Sequence, residues 1–514
     1  MKYLLALVLS AAPFTATADT VRQACLKGRA ETRIAIDLTK GRYIEGNIEF
    51  SRLDLSRGGV SLSAVSDTVP ERKLFADQTN RQDFLLWYPQ GSRVWLKLSA
   101  PDNRHMCYRL TLKQSAAHYD KTVRENAAPQ SPRLQQLQRE IARQGNRAEE
   151  RFWAEIRRQG APLVEKADSG HSLLTFLYRG AVHNVRLLGG PSNDHEWLEK
   201  LPGSGVWYKT FKVRNDLRLS YRLAPDIPTP EGADAYRSRR ALLSVLMPDP
   251  LNRRRLAESS LVDLAEPNDE AAVAPRGRLK NYAFHSKKLG NTRRIWIYQT
   301  DPQAADPVVL YLFDGWQYLY ETRLIPILDG LRRQNKLPPV AVVFIDNVDR
   351  RVELPANPDF ADMLAEELLP FVEQHTAIRH RPQHTVVSGS SYGGLAAAYA
   401  AYRRPETFGN AIPLSGSFWH KNDGGQKLAD QIAAQKMPPQ RWFIAAGSYE
   451  TARAGEDPAD GIAAGSRRLS DILSAQGRDA VYREYSGSHD YAVWQYALPD
   501  GLVYLFGRLR PVQN

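Results

Sequence analysis

Residues 385–402 read TVVSGSSYGGLAAAYAAY, and this stretch decides the fold. Residues 385–387 are β-branched, as in a buried strand, whereas residues 395–402 have the composition of a helix. Between them, GSSYG at 389–393 matches G-x-S-x-G, in which a serine occupies a sharp turn where side chains larger than glycine would collide. The order of strand, turn and helix predicts a nucleophile elbow that exposes the Ser391 hydroxyl.

The sequence around the elbow predicts an α/β fold. Residues 308–313, 340–345 and 385–388 are continuous apolar runs, and helical segments such as 360–374 lie between such runs. Buried strands that alternate with helices are typical of a mainly parallel sheet covered on both faces. We therefore expect an α/β-hydrolase catalytic domain over residues 276–514.

A nucleophilic serine needs a base and an acid, which follow it in the order acid, then histidine. His489 follows the predicted strand 481–485 and precedes a helix, and His420 is the other histidine after the elbow. His489 is the predicted base. Glu450, in the loop after a strand that begins at Trp442, is the predicted acid. Three carboxylates nearby are rivals for that role: Glu456, Asp457 and Asp460.

Ester hydrolysis also needs two backbone donors for the oxyanion. The first predicted donor is the N–H of Tyr392, directly after the nucleophile. The second is the N–H of Trp316, in the loop that follows the strand 308–313. The alternative is that this loop is an ordinary turn without a role in catalysis.

Several stretches carry a family resemblance. They are YLFDGW at 311–316, LPP at 337–339, IDNVDR at 345–350, Glu353, Leu354, Asn357 and Phe360, ELLP at 367–370, SYGGL at 391–395, PETFG at 405–409, LSGSFW at 414–419 and GSHD at 487–490 with Trp494, preceded by VRLLGGP at 185–191 and YRLAPD at 221–226. In this order they resemble the enterochelin esterase family, over roughly residues 150 to 514.

The resemblance implies hydrolysis of the ester bonds in a cyclic tri-serine catecholate siderophore or its ferric complex. It also implies that Arg350 and Trp419 contact this small-molecule substrate. Arginine suits an anionic catecholate, because its charge is permanent and its donors form a planar fork. The alternative for Arg350 is a salt bridge with Glu353 or another acid of the same loop.

The amino-terminal part of the chain shows period-two alternation punctuated by turn residues, which is typical of β-sandwiches. We expect a first sandwich over 19–118, a helical connector over 119–158 and an immunoglobulin-like sandwich over 159–275. The last of these resembles the family's amino-terminal domain. The first lies outside the resemblance, and its role is open.

Residues 1–18 have a basic start, an apolar core and small residues before a cleavage site, which predicts a signal peptide. No later stretch is apolar and long enough to span a membrane. We therefore expect a periplasmic or secreted protein. In such a compartment Cys25 and Cys107, the two cysteines, can form a disulfide.

The formal net charge of +12 is spread along the chain without an aromatic-interleaved motif, so we expect no nucleic-acid partner. The mechanism needs no cofactor and no metal. Alternatives are a feruloyl or acetyl esterase acting on carbohydrate-linked esters, an acyl transferase, or a binding protein on a hydrolase scaffold. The sequence gives no indication of oligomeric state.

Overall fold

The computed structural model describes residues 20–507 apart from 28–30, 38–41, 52–58, 68–70, 79–80, 89–92, 101–104, 116, 120–124, 127, 194, 231–233, 266–276, 305, 436–437 and 453–454. The expected signal peptide lies outside these residues. The chain divides into two compact units. The first comprises residues 1–123, 181–185 and 224–246, and the second comprises 124–180, 186–223 and 247–514.

The first unit contains two facing sheets, and buried and exposed residues alternate along their strands. The strands are β1 (Thr20–Lys27), β2 (Glu31–Asp37), β3 (Arg42–Ser51), β4 (Val60–Ser66), β5 (Arg72–Gln78), β6 (Gln82–Tyr88), β7 (Arg93–Ser99), β8 (His105–Ser115) and β9 (Ala117–Tyr119). One sheet has the order β1-β8-β3-β6 and the other β2-β7-β4-β5. Inward-facing residues such as Ile44, Leu62 and Leu96 are fully buried between the sheets, as the alternation predicts.

A disulfide joins the first sheet's neighbouring strands β1 and β8. Cys25 and Cys107 are directly opposite each other in the antiparallel register, and their sulfurs are bonded across a separation of 82 residues. The bond therefore links the start of the sandwich to its last long strand.

Two helices precede the second sandwich, α1 (Pro132–Gln144) and α2 (Asn146–Gln159). The apolar faces of these helices are packed against the sandwich that follows them. Leu134, Phe152 and Trp153 are buried in one cluster with Leu177 and Tyr208 of the sandwich that follows. The helices therefore share the core of the second sandwich.

The second sandwich has two sheets, β10-β11-β15-β14 and β13-β12-β16-β19-β18. The elements over this part of the chain are β10 (Leu163–Lys166), β11 (His171–Arg179), β12 (Val185–Leu188), β13 (Glu196–Trp197), β14 (Glu199–Lys200), β15 (Val206–Arg214), β16 (Arg218–Pro225), β17 (Pro228–Pro230), α3 (Ala235–Ser244), β18 (Arg255–Leu256) and β19 (Ser259–Asp263).

Residues 182–184 form a turn directly before the strand β12. The Asp226 carboxylate accepts hydrogen bonds from the backbone N–H groups of Val182 at 3.0 Å and His183 at 2.6 Å. Amides held by a carboxylate cannot also pair in a ladder, and the strand begins only at Val185.

The helix α3 belongs to the first unit. It packs on β6, where Ala241 and Leu85 are buried together. Arg237 of α3 forms an ion pair with Glu45 at 3.1 Å. The Arg72 guanidinium donates to the Leu243 carbonyl at 2.6 Å.

The carboxyl-terminal part is built on an eight-stranded sheet of order β20-β21-β23-β22-β24-β25-β26-β27. Pairing is antiparallel from β20 to β21 and from β21 to β23, and parallel from there on. The strands are β20 (Arg278–Ser286), β21 (Asn291–Gln299), β22 (Val308–Leu312), β23 (Val340–Ile345), β24 (Thr385–Ser390), β25 (Asn410–Leu414), β26 (Arg441–Gly447) and β27 (Asp479–Tyr485). This confirms the predicted α/β class.

Helices cover both faces of this sheet, and each face buries its own apolar cluster. The helices are α4 (Gly315–Tyr320), α5 (Leu324–Arg333), α6 (Arg350–Glu353), α7 (Pro358–Met363), α8 (Leu369–His375), α9 (Tyr392–Arg403), α10 (Leu428–Ala433), α11 (Ile462–Ala475) and α12 (Tyr491–Phe506). The single helix predicted over 360–374 is divided by a π-helical turn, Leu364–Leu368, just before Pro370. Proline has no N–H to continue the α-helical ladder.

Candidate active site

Ser391 lies at the turn between β24 and α9 with φ of 61° and ψ of −121°, a backbone conformation that L-residues rarely adopt. A Cβ on Gly389 would lie 2.7 Å from the Gly393 carbonyl oxygen, and one on Gly394 would lie 2.6 Å from the Leu414 carbonyl oxygen. These glycines let the helix approach the sheet closely. The structure therefore contains the elbow that G-x-S-x-G predicts.

Glu450 and His489 lie in the loops after β26 and β27 and are hydrogen-bonded through Oε1 and Nδ1. Only 2% of Glu450 is exposed, so its charge has to be satisfied within the protein. Its Oε2 accepts from the Ser415 hydroxyl at 2.7 Å and the Gly447 N–H at 2.5 Å. A carboxylate on Nδ1 favours the tautomer whose free lone pair is on Nε2.

The sequence did not identify Ser415, although it lies inside the LSGSFW stretch. The Trp494 indole N–H donates to the Ser415 hydroxyl oxygen at 2.8 Å, and that hydroxyl in turn donates to Glu450. The Trp494 ring also packs edge-on against the His489 ring, with centroids 4.9 Å apart. Ser415 and Trp494 therefore hold both members of the acid–base pair.

Parallel strand order brings these groups to one edge of the sheet. The strands β24, β25, β26 and β27 are consecutive neighbours, and Ser391, Ser415, Glu450 and His489 follow their respective carboxyl ends. Ser391 N–H donates to the Leu414 carbonyl at 3.0 Å, which fixes the elbow to the strand that precedes Ser415. Nucleophile, acid and base thus lie on neighbouring loops.

The rival residues occupy other positions. Glu456 is exposed, Asp457 accepts from the Ala459 N–H in a 3-10 turn, and Asp460 forms an ion pair with Lys427 at 2.6 Å. The His420 ring packs beside the rings of Tyr392 and Trp419. Among the residues described, His420 has no carboxylate partner, in contrast to His489.

The two predicted oxyanion donors are in the first turns of helices, Tyr392 at the start of α9 and Trp316 near the start of α4. Backbone N–H groups of a first turn point out of the helix end. Asp314 introduces α4 with a φ of 52°, and a Cβ on Gly315 would overlap the backbone of Ile345. The loop is therefore pressed against β23.

The guanidinium of Arg350 is bound to Asp314 and not to Glu353. Its Nε and Nη2 donate to the two Asp314 carboxylate oxygens at 2.7 and 2.9 Å, and Nη2 also lies 3.3 Å from the Ser390 carbonyl oxygen. Glu353 instead pairs with the buried Arg293 at 2.8 Å. The Arg350 side chain is 38% exposed, so it reaches solvent beside the loop that carries Trp316.

Trp419, the other predicted substrate contact, is 43% exposed, and its ring centroid lies 6.0 Å from that of Tyr392. An exposed tryptophan beside the elbow is available to a ligand. Among the described residues, His, Cys, Asp and Glu side chains form no group of three or more that could hold a metal ion.

Comparison with known proteins assigns the chain to a family. Residues 286–505 match the family described as putative esterase, and residues 173–275 match the family described as enterochelin esterase, N-terminal. The iron(III) enterobactin esterase of Dickeya dadantii is 32% identical over 407 residues, which cover 70% of this chain and 93% of that relative. The chain belongs to the enterochelin esterase family.

Other members of the enterochelin esterase family agree in sequence and structure. The iron(III) enterobactin esterase of Escherichia coli K12 is 30% identical over 60% of this chain and 81% of its own length. The enterobactin esterase of Shigella flexneri, crystallised in the presence of enterobactin, matches with a TM-score of 0.56 and 28% identity over 67% of this chain and 95% of that one. An enterochelin esterase is an ester hydrolase, which fits the arrangement of Ser391, Glu450 and His489.

Proposed function

We propose that the protein hydrolyses the serine ester bonds of an enterobactin-like catecholate siderophore, free or carrying ferric iron, and so aids iron release. The observation that carries the proposal is the buried Glu450 hydrogen-bonded to His489 at the sheet edge where the Ser391 elbow lies. A relative named for this reaction aligns over 93% of its length.

In the proposed mechanism, His489 Nε2 accepts the hydroxyl proton while Ser391 Oγ attacks the ester carbonyl carbon. The N–H groups of Tyr392 and Trp316 stabilise the oxyanion. The carbon–oxygen bond to the substrate's serine oxygen then breaks, and His489 protonates that leaving oxygen. Water, deprotonated by His489, attacks the acyl-enzyme and releases the carboxylate and free Ser391. Glu450 stabilises the histidinium in both steps.

We assign substrate contact to Arg350 and Trp419. Two nitrogens of Arg350 bind Asp314, while its Nη1 has no hydrogen-bond partner among the described residues and the side chain is partly exposed. A catecholate oxygen is an anionic acceptor that this nitrogen can bind. The flat face of Trp419 suits an aromatic ring.

We also propose export to the periplasm. Residues 1–18 have the pattern of a signal peptide, and a disulfide such as Cys25–Cys107 persists in oxidising compartments. Across the described residues, none of the helices has the length and apolar character needed to cross a membrane. Fractionation of cells expressing the full chain should place it with periplasmic markers, whereas the same chain without residues 1–18 should stay with cytoplasmic markers.

Product analysis tests the reaction. The mature protein and its Ser391→Ala variant are each incubated with ferric enterobactin, iron-free enterobactin and a feruloylated oligosaccharide. Linear trimer, dimer or monomer that appears only with Ser391 intact is the expected result. Ferulate release without siderophore cleavage would replace the siderophore by a carbohydrate ester as substrate.

A further inference from the structure

The second sandwich contacts the loop that carries His489 on both sides of the histidine. Before it, the Arg218 N–H donates to the Ser486 carbonyl at 2.9 Å. Directly next to it, the Ser488 hydroxyl donates to the Gly190 carbonyl at 2.9 Å. The loop is thus hydrogen-bonded to two different strand ends of the sandwich.

The residue after the histidine is held in the same way. Asp490 is partly buried, and its carboxylate accepts from the Ser220 N–H of β16 and, at 2.9 Å, from the Ala492 N–H at the start of α12. The same side chain therefore caps the helix that follows the histidine and binds the sandwich. Burial raises the pKa of the Asp490 carboxyl.

A turn in the sandwich sets the position of these partners. Gly189 has a φ of 82°, and a Cβ placed on it would overlap the Ser220 carbonyl oxygen. The next residue, Gly190, offers its carbonyl to Ser488. The Gly189–Gly190 turn therefore has two contacts. Gly189 packs against Ser220, the residue that binds Asp490, and Gly190 binds Ser488.

Glu450 holds the His489 ring at one atom, Nδ1, so the distance from Nε2 to Ser391 depends on the backbone of residues 488–490. We propose that the second sandwich is a positioning element for catalysis, which holds this backbone through Gly190, Ser220 and Arg218. The inference rests on the proposed role of His489 as base. Catalytic geometry is sensitive on this scale, since a displacement of about 1 Å can cost about 100-fold in rate.

The test compares Gly189→Ala with Gly203→Ala. Gly203 lies in the same sandwich with a similar φ of 71°, but a Cβ there has nothing within 4 Å. Both variants impose the same kind of backbone strain, and only the first displaces Ser220. Measurements are Tm, the rate of Ser391 labelling by a fluorophosphonate, and kcat and KM for enterobactin.

We expect Gly189→Ala to lower both the labelling rate and kcat by about tenfold or more while KM and Tm follow the Gly203→Ala control. Labelling needs the serine and its base but no siderophore, so the result is informative even if enterobactin is not the substrate. A raised KM with an unchanged labelling rate would overturn the inference, since the sandwich would then contact substrate only.

Ser488→Ala provides a milder second variant in case Gly189→Ala does not fold. It removes one hydrogen bond to Gly190 and leaves Glu450 and His489 in place. We expect a labelling rate reduced about threefold to tenfold, with Tm within a few degrees of the unmodified protein. A labelling rate equal to that of the unmodified protein in both variants would refute the positioning role.

Discussion

The carboxylate of Glu450 accepts from a serine hydroxyl and a backbone N–H and is bonded to His489, which satisfies a charge that is almost fully buried. In Glu450→Gln, one carboxylate oxygen is replaced by an NH2 group, which can only donate. The Ser415 hydroxyl, the Gly447 N–H and the His489 ring all donate to Glu450, so at least one of them would face another donor. We expect the histidine to lose its productive tautomer and kcat to fall by on the order of 10³-fold, with KM little changed.

Steady-state kinetics on enterobactin checks this, with Glu456→Gln as the matched control. Glu456 is exposed in the loop that follows Glu450, and we expect its variant to retain kcat within about twofold. If Glu456→Gln is the slow variant instead, the acid has been misassigned.

Arg350 donates two parallel hydrogen bonds to the Asp314 carboxylate, and the single ammonium group of lysine cannot reproduce this pair. Since Asp314 starts the loop that carries Trp316, we expect Arg350→Lys to lower kcat for a small neutral ester about tenfold. The exposed neighbour Arg351→Lys is the control. Unchanged turnover of p-nitrophenyl acetate by Arg350→Lys would show that the loop is held without this pair.

The identities of the nucleophile, base and acid could be proposed from sequence because each stands at a strand end of a known order. The supporting contacts could not. Ser415 meets Glu450 across 35 residues, and Arg350 meets Asp314 across 36 rather than Glu353 three residues away. Such pairs depend on which strands become neighbours, and a single sequence does not record this.

At the scale of the element, α9 approaches β25 so closely that only glycine fits at 394. A Cβ there would lie 2.6 Å from the Leu414 carbonyl oxygen and 2.9 Å from Gly416 Cα, and backbone atoms cannot move aside without shifting the strand. We expect Gly394→Ala to destabilise the protein by about 2 kcal/mol or more, measured by urea unfolding.

Gly424→Ala is the control for this substitution, because the nearest atom to its Cβ is the flexible Asn422 side chain at 3.3 Å. Equal unfolding midpoints for the two variants would mean that helix and strand can separate locally without cost.

The helices α7 and α9 are joined by an ion pair with a definite pH dependence. The Asp362 carboxylate accepts from Arg403 at 2.8 and 2.7 Å, and Arg403 lowers the pKa of this carboxyl from its usual 3.8. This ion pair therefore stabilises the folded protein fully at pH values above the usual carboxyl pKa. The stabilisation is lost as the pH falls through the lower pKa that the Asp362 carboxyl has in the folded protein.

Thermal unfolding of Asp362→Asn beside the unmodified protein tests this. We expect a lower Tm for the variant at pH 7 and a difference that narrows below about pH 4. Asp423→Asn, at an exposed loop carboxylate, is the control and should follow the unmodified protein. A constant difference at every pH would assign the effect to side-chain shape instead of charge.

Element boundaries were predictable where the pattern is local. The strand expected at 340–345 has those bounds, since a run of six apolar residues can be buried on both faces. The start of β12 at Val185 depends on Asp226, some forty residues away, and the π-helical turn before α8 depends on a proline inside a helix. Hydrophobic periodicity alone reveals neither.

At the scale of the whole molecule, the disulfide closes a loop of 82 residues around nearly all of the first sandwich. In the chain-entropy description, its loss in a Cys25→Ser, Cys107→Ser variant costs about 4.5 kcal/mol. We expect the variant to be cleaved by proteases within residues 20–119 faster than the unmodified protein. Mass spectrometry of the fragments measures these cleavage rates. The unmodified protein with a reducing agent should match the variant, and cleavage rates that do not change in either sample would contradict the estimate.

The helix α3 lies within residues 173–275, the stretch shared with enterochelin esterases, yet it packs with the extra sandwich through Glu45 and Arg72. The chain enters that first unit three separate times along its length. A truncation at any single point of the chain therefore removes only part of this unit. Deleting residues 1–123 alone would leave α3 without the strand β6 on which it packs.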